Sequence, residues 1–368
     1  MQMTMEYVAS TGPLAGLIAL VSLYPLRPLA HRTGLLDVPD HRKTHKGAVP
    51  LIGGLSMFIG LFVAWLLLAP LGGGYGVFLA CSLLLVVMGA VDDARHLPAM
   101  FRLCAQVALG ALLVVGSGVW LDQFGNLLGF GVIELGWLLG PVVTICAVIA
   151  ATNMFNMIDG IDGLAGSVSL VALLGLLVLL VPAQGFRVET TMALALVLAL
   201  VPYWLANLRV PPFRRRVFMG DAGSLFIGFS LVWLLTNSTQ QGEAAFRPVT
   251  ALWLVAVPLM DMVAIMLRRA KRGESMMRPD REHLHHIFLR AGFTERQALV
   301  VISAVAVAVV MASIGIAGEW LAVPAWVMCG AFVALFGVYM MALNHVWRLL
   351  VLFRAYRIAA LRRAAQKR

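Results

Sequence analysis

The chain has 368 residues, of which 61% are hydrophobic and only 12% charged, with a formal net charge of +10. A soluble domain is about 45–50% apolar and about 25% charged, so a soluble globular fold is excluded. Segments buried in lipid must satisfy their own backbone polar groups, which leaves helices or a closed barrel.

The apolar runs are long and show no period-two alternation, which selects helices. In chain order they predict about eleven spans, over 12–30, 48–70, 75–91, 103–119, 131–150, 163–182, 190–206, 223–236, 248–267, 298–316 and 321–343. The fold class expected is therefore all-α, a polytopic integral membrane protein. The first residues lack a basic stretch and include Glu6, so the first run is expected to stay as a helix rather than be cleaved as a signal peptide. Residues 1–343 read as a single transmembrane catalytic domain with its active-site loops in the cytoplasm. Residues 344–368 read as a basic amphipathic cytoplasmic tail, with Trp347, Leu350, Phe353 and Tyr356 among spaced arginines.

Lysine and arginine concentrate in alternate loops, which places those loops in the cytoplasm, the N-terminus outside and the C-terminus inside. The basic balance thus points to topology and to anionic lipid or phosphate, with no nucleic acid as a partner. The cysteines Cys81, Cys104, Cys146 and Cys329 sit in or at the ends of apolar runs without metal spacing, so no disulfide framework is expected.

Five polar stretches interrupt the apolar chain, and the topology brings all of them to one face. Asp92 and Asp93 follow the third run; paired carboxylates there suit a cation and a proton acceptor, or simply a solvated helix end. Asn156, Asp159 and Asp162 recur every three residues, so a helical turn would set them side by side, with Gly160 and Gly163 allowing close approach of a ligand; the alternative for such an Asn-Asp-Gly cluster is a plain turn. Asp221, within Phe218-Met219-Gly220-Asp221, could cap the eighth span or hold a metal–phosphate complex. Arg268 and Arg269 offer guanidinium forks for phosphate. Pro279 to Phe288 reads as a short capped helix with Leu284, Ile287, Phe288 and Ala291 on its apolar face and Gly292 as its stop. Its histidines, His283, His285 and His286, lie among arginines and suit phosphate better than zinc. If the five aspartates converge, a divalent cation would relieve their repulsion, and magnesium prefers oxygen ligands. Carboxylates, cation and arginines are the parts of phosphoryl transfer at a lipid surface. A transporter of anionic solutes is the alternative from another class, although its ionisable groups are expected near mid-bilayer.

Asp37 to Lys46, Val91-Asp92-Asp93, Asn153 to Gly163, Phe218 to Asp221 and Pro279 to His286 together resemble the polyprenyl-phosphate N-acetylhexosamine-1-phosphate transferase family over nearly the whole chain. The segment Pro279-Asp280-Arg281 leading into His283-Leu284-His285-His286 is similar to the WecA branch, which joins N-acetylglucosamine-1-phosphate from UDP-GlcNAc to undecaprenyl phosphate and releases UMP. The MraY branch, which takes UDP-N-acetylmuramoyl-pentapeptide, usually has three consecutive histidines, and Leu284 interrupts that run here. The resemblance implies an enzyme of the bacterial inner membrane, dependent on magnesium or alternatively manganese, starting lipid-linked O-antigen or a related glycan; a homodimer is compatible with it. It implies Asp221 and Asn156 at the metal, and Asp92, Asp93 and Asp159 as catalytic carboxylates. It places Phe218 and Asp162 at the uracil. It puts Arg269, His283, His285, His286, Lys46 and Arg102 around the phosphates and sugar; relatives often carry lysine at the last of these positions.

Overall fold

The computed structural model describes residues 5–38, 47–240, 242–275, 283–317, 321–343 and 345. Lys46, residues 279–282 and, apart from residue 345, the tail expected over 344–368 lie outside the described residues.

Every expected apolar run falls on helix. The helices are α1 (Met5–Thr33), α2 (Gly53–Leu68), α3 (Tyr75–Arg95), α4 (Ala99–Ser117), α5 (Gly136–Ile158), α6 (Leu164–Leu180) and α7 (Arg187–Asn207). After them come α8 (Gly220–Gln240), α9 (Pro248–Leu254), α10 (Ala256–Lys271), α11 (Leu284–Arg290) and α12 (Glu295–Ala312), then α13 (Ala325–Leu343). A two-residue antiparallel ribbon, β1 (Leu36–Asp37) with β2 (Val49–Pro50), follows α1. Among the described residues eight helices are long and apolar enough to cross a bilayer, or nine if the bent pair α9–α10 counts as one span. The chain is a helical membrane protein. The expectation of eleven spans is met by length only in part, because α2 and α6 have 16 and 17 residues.

Three boundaries differ from expectation for identifiable reasons. The fifth run does not end before the asparagines. Thr152 Oγ1 bonds the carbonyl of Val148, while Asn153 Nδ2 donates to Ile149 O and Gln106 Oε1, so these polar side chains are satisfied within the bundle and α5 continues to Ile158. The eighth run is longer than its apolar core suggests. Asn237, Ser238 and Thr239 each donate to the carbonyl four residues earlier, which extends α8 to Gln240. The ninth run breaks at Val255, and α9 and α10 meet at 81°.

α8 is the axis of the bundle: 94% of its span is buried, against α2, α3 and α5. Small residues set these approaches. A Cβ on Gly54 would lie 2.1 Å from Gly223 N, one on Gly89 would lie 2.5 Å from Ala222, and one on Gly228 would lie 2.3 Å from the carbonyl of Ala151. α2, α3 and α5 are thereby held close against α8, whose first turn carries Asp221.

Candidate active site

Asp92 and Asp93 lie inside the last turn of α3, not beyond it, since the helix ends at Arg95. Asp92 Oδ1 accepts the Leu97 N–H at 2.7 Å, and Oδ2 accepts Arg102 Nη1 at 2.8 Å. The same Arg102 nitrogen is 3.5 Å from Asp221 Oδ2, so one guanidinium bridges two carboxylates. Asp93 turns the other way. Its Oδ1 accepts the Asp221 N–H at 2.9 Å and its Oδ2 accepts the Ala222 N–H at 3.4 Å. Asp93 therefore caps α8 from a neighbouring helix. The expectation that Asp221 could be that cap is corrected: Gly220, at φ 73°, already opens α8, and Asp221 sits in its first turn. Its side chain is left to accept Asn156 Nδ2 at 2.7 Å, and the same Asn156 amide reaches Ser224 Oγ at 3.1 Å.

The proposed helical turn through Asn156, Asp159 and Asp162 is also corrected. Only Asn156 is helical; α5 stops at Ile158, and Asp159 and Asp162 occupy the loop that enters α6 at Gly163 (φ 79°). Asn207 holds that loop, accepting the Gly163 N–H while its Nδ2 donates to Val217 O at 2.9 Å. This fastens the loop to the strand-like stretch that carries Phe218. Asp162 Oδ2 meets Arg216 Nη2 at 2.6 Å, and the Arg216 guanidinium lies 5.8 Å from the centre of the Phe218 ring. Asp159 has no hydrogen-bond donor among the described residues; burial, with Asp221 and Asp162 nearby, raises its pKa to about 7.

These groups line one cavity of about 1020 Å³: Asp92, Asp93, Asn156, Asp159, Asp162, Phe218, Asp221 and His286. Arg102 joins it through Asp92 and Asp221. His283, His285 and Arg269 are not among the lining residues. Arg269 is buried in the last turn of α10. His283 Nδ1 bonds Asp261 Oδ2 at 2.9 Å, and Asp261 Oδ1 accepts the Leu284 N–H at 3.0 Å and the Tyr339 hydroxyl at 2.8 Å. The histidine segment forms α11 as expected, stopped by Gly292 at φ 89°. The rings of His283 and His285 lie 5.7 Å apart and nearly parallel, and His286 is 4.2 Å from His285. His285 is 2% exposed, neither of its nitrogens has a hydrogen-bond partner among the described residues, and its Nε2 edge faces Gly160. Burial, then His286 and His283, lower its pKa to about 3, so it is neutral at pH 7. The segment thus meets the acidic loop by packing and presents His286 to the cavity.

Two residues join the candidate site without a motif of their own. In the sequence Arg216 reads, with Arg214 and Arg215, as part of a basic loop, and its place two residues before Phe218 is the available signal. Asp261 lies inside the ninth apolar run, where a lone carboxylate is itself a functional pointer.

Among the described residues no three His, Cys, Asp or Glu side chains are grouped to hold a metal by themselves. A magnesium ion needs only one or two carboxylates when substrate phosphates and water complete its shell. The cavity offers oxygen donors throughout, with six aspartates and Glu295 on its wall and Arg102 and Arg216 paired to three of the aspartates. This donor set fits such an ion.

The sequence profile described as "Glycosyl transferase family 4" matches residues 75–239. A relative from Yersinia pestis, named undecaprenyl-phosphate alpha-N-acetylglucosaminyl 1-phosphate transferase, is 40% identical over 356 residues, covering 96% of this chain and 95% of its own. The chain belongs to glycosyl transferase family 4. Relatives of the same name from Escherichia coli strain K12 and Pasteurella multocida are 40% and 41% identical, each over 90% of this chain and 90% and 92% of their own. The family 4 match runs from the start of α3 nearly to the end of α8, so it contains Asp92, Asp93, Asp159, Asp162, Asp221 and Phe218, while Asp37 and Glu295 of the cavity wall and α11 lie beyond it.

Proposed function

We propose that this chain transfers N-acetylglucosamine-1-phosphate from UDP-N-acetylglucosamine to undecaprenyl phosphate, forming undecaprenyl-diphospho-N-acetylglucosamine and releasing UMP. The observation that carries this reading is the convergence of Asp92, Asn156, Asp159 and Asp221 around one cavity, in a chain alike from end to end to relatives of that name. A phosphate oxygen of the lipid attacks the β-phosphorus of the nucleotide sugar. The bond from that phosphorus to the bridging oxygen breaks, and the bridging oxygen leaves with UMP.

Asp221 and Asn156 are the residues that would hold magnesium, or manganese in its place, and the ion would offset charge on the diphosphate. Arg102 holds Asp92 and Asp221 at fixed spacing. Of the three candidate catalytic carboxylates, Asp92 is engaged by Leu97 and Arg102 and Asp93 by the N–H groups of α8, whereas Asp159 accepts no hydrogen bond among the described residues. Asp159 is therefore best suited to accept a proton from the lipid phosphate, and its pKa of about 7 lies near neutral pH. Asp93 serves that chemistry by orienting the first turn of α8. Phe218 and Asp162, steadied by Arg216, form the place for uracil. His286 faces the phosphates, with His283 and His285 behind it. Arg269 and Lys46 are assigned to the phosphates on the resemblance alone.

The same reading makes residues 1–343 one catalytic domain with eleven crossings in the bacterial inner membrane, its cavity open to the cytoplasm. The one-sided lysine and arginine distribution supports that orientation. The test is UMP release by purified protein with undecaprenyl phosphate and a panel of UDP-N-acetylhexosamines and UDP-N-acetylmuramoyl-pentapeptide, with and without magnesium. Turnover confined to UDP-N-acetylglucosamine and abolished by chelator is expected. Release only from the pentapeptide substrate, or none from any, would overturn the proposal.

A further inference from the structure

Beside the carboxylate cavity, and separated from it by Arg216, lies a second cavity of about 790 Å³ with the opposite charge. Arg27 and His31 of α1 form one wall, and Arg209, Arg214, Arg215 and Arg216 of the α7–α8 connection form the other. Among the described residues Glu295, which also lines the carboxylate cavity, is its one lining carboxylate. Arg216 is already paired with Asp162. Arg27 is fixed, since its Nη2 donates to the carbonyl of Arg215 at 2.7 Å. The side chains of Arg209, Arg214 and Arg215 have no carboxylate partner among the described residues. Like charges held together around a concave space repel one another unless an anion sits between them.

The surface leading to this space is apolar. Leu17, Val21, Tyr24, Pro28 and His31 recur at intervals of three and four residues and so form one stripe along α1. All five are exposed, and the last two line the cavity. An apolar track that runs along a membrane helix and ends among arginines matches an acyl chain joined to a phosphate. None of the aspartates of the carboxylate cavity lines this space, so a phosphate held here is not placed to react.

We propose that the cleft between α1 and the α7–α8 connection is a binding site for the phosphate headgroup of an anionic phospholipid, with an acyl chain along the Leu17–Val21–Tyr24 stripe. The site is independent of the transfer reaction.

The test is native mass spectrometry of the full chain in detergent micelles titrated with dioleoyl phosphatidylglycerol or dioleoyl phosphatidylcholine. Wild type should hold one phosphatidylglycerol at least about tenfold more tightly than phosphatidylcholine. Each arginine removed should cost about fivefold, so Arg209→Gln, Arg214→Gln and Arg215→Gln together should erase the preference. The triple variant should keep its circular dichroism and its turnover at saturating substrates. Three results would overturn the proposal. The variant could retain the phosphatidylglycerol preference. Inorganic phosphate could displace the lipid at equal concentration, which would make this a soluble-anion site. Undecaprenyl phosphate could displace it equally well while the variant's KM for that substrate rises, which would make it the acceptor site.

Discussion

Gly160→Ala tests whether the histidine segment works by close packing on the acidic loop. A Cβ at position 160 would lie 2.0 Å from His285 Nε2 and 2.3 Å from its Cε1, where ordinary contact begins at 3.4 Å. Gly160 has no positive φ, so alanine strains nothing in the backbone and the clash is the whole perturbation. His285 has nowhere to retreat. It is buried, flanked by His283 and His286, and His283 is fixed by Asp261. The loop carrying Asp159 and Asp162 must therefore part from α11 by more than 1 Å. Overpacking of this kind costs ~1–3 kcal/mol. A displacement of about 1 Å in a reacting constellation costs on the order of a hundredfold in rate. Initial rates of UMP release should fall by roughly that factor, with the protein still folded. His285→Ala removes the ring edge, so in a double-mutant cycle on stability the penalty of Gly160→Ala should vanish in the His285→Ala background. A Gly160→Ala enzyme within about twofold of wild type, or equal penalties in both backgrounds, would refute the contact; the threshold is set by the ~1.4 kcal/mol that separates tenfold effects.

The remaining predictions concern charge. Asp159 is raised from an ordinary carboxylate value to about 7, so between those values the folded, metal-free protein keeps a proton that the unfolded chain releases. Its contribution therefore weakens as pH rises through that window. Asp159→Asn should stabilise metal-free protein at pH 8 relative to wild type and leave stability at pH 4 nearly unchanged, read by thermal unfolding, while turnover falls. Arg216→Ala removes the 2.6 Å pair with Asp162 and the cation beside Phe218. KM for the nucleotide sugar should rise about tenfold with kcat changed less, as expected when binding is lost equally in ground and transition states. Asp261→Asn keeps an acceptor for Leu284 N–H or Tyr339 but no longer favours the Nδ1–H form of His283. Turnover should drop about tenfold or more, with a shift in the imidazole resonances of His283; a normal rate with shifted resonances would remove Asp261 from the positioning of α11.

The sequence alone determined the solvent in which this chain folds and the chemistry it carries. Continuous apolar runs such as 163–182 and 298–316 cannot be accommodated except as buried or lipid-facing helix, and that follows from composition without reference to any partner. Asp92, Asn156, Asp159, Asp162 and Asp221 were legible because polar side chains between such runs are expensive unless they act together, whereas Phe218 was legible only through the family resemblance. What each does was decided only by tertiary structure. Sequence spacing could not reveal that Asp93 caps a helix from 128 residues away, because that bond depends on how α3 crosses α8. Nor could it reveal that Asp261 anchors His283 or that Arg216 serves Asp162, since charge reads the same in a solvated flank and in a closed pair. Hydrophobic periodicity is a local property of the chain. The partner of a buried charge is set by which helix ends the packing of small residues brings together.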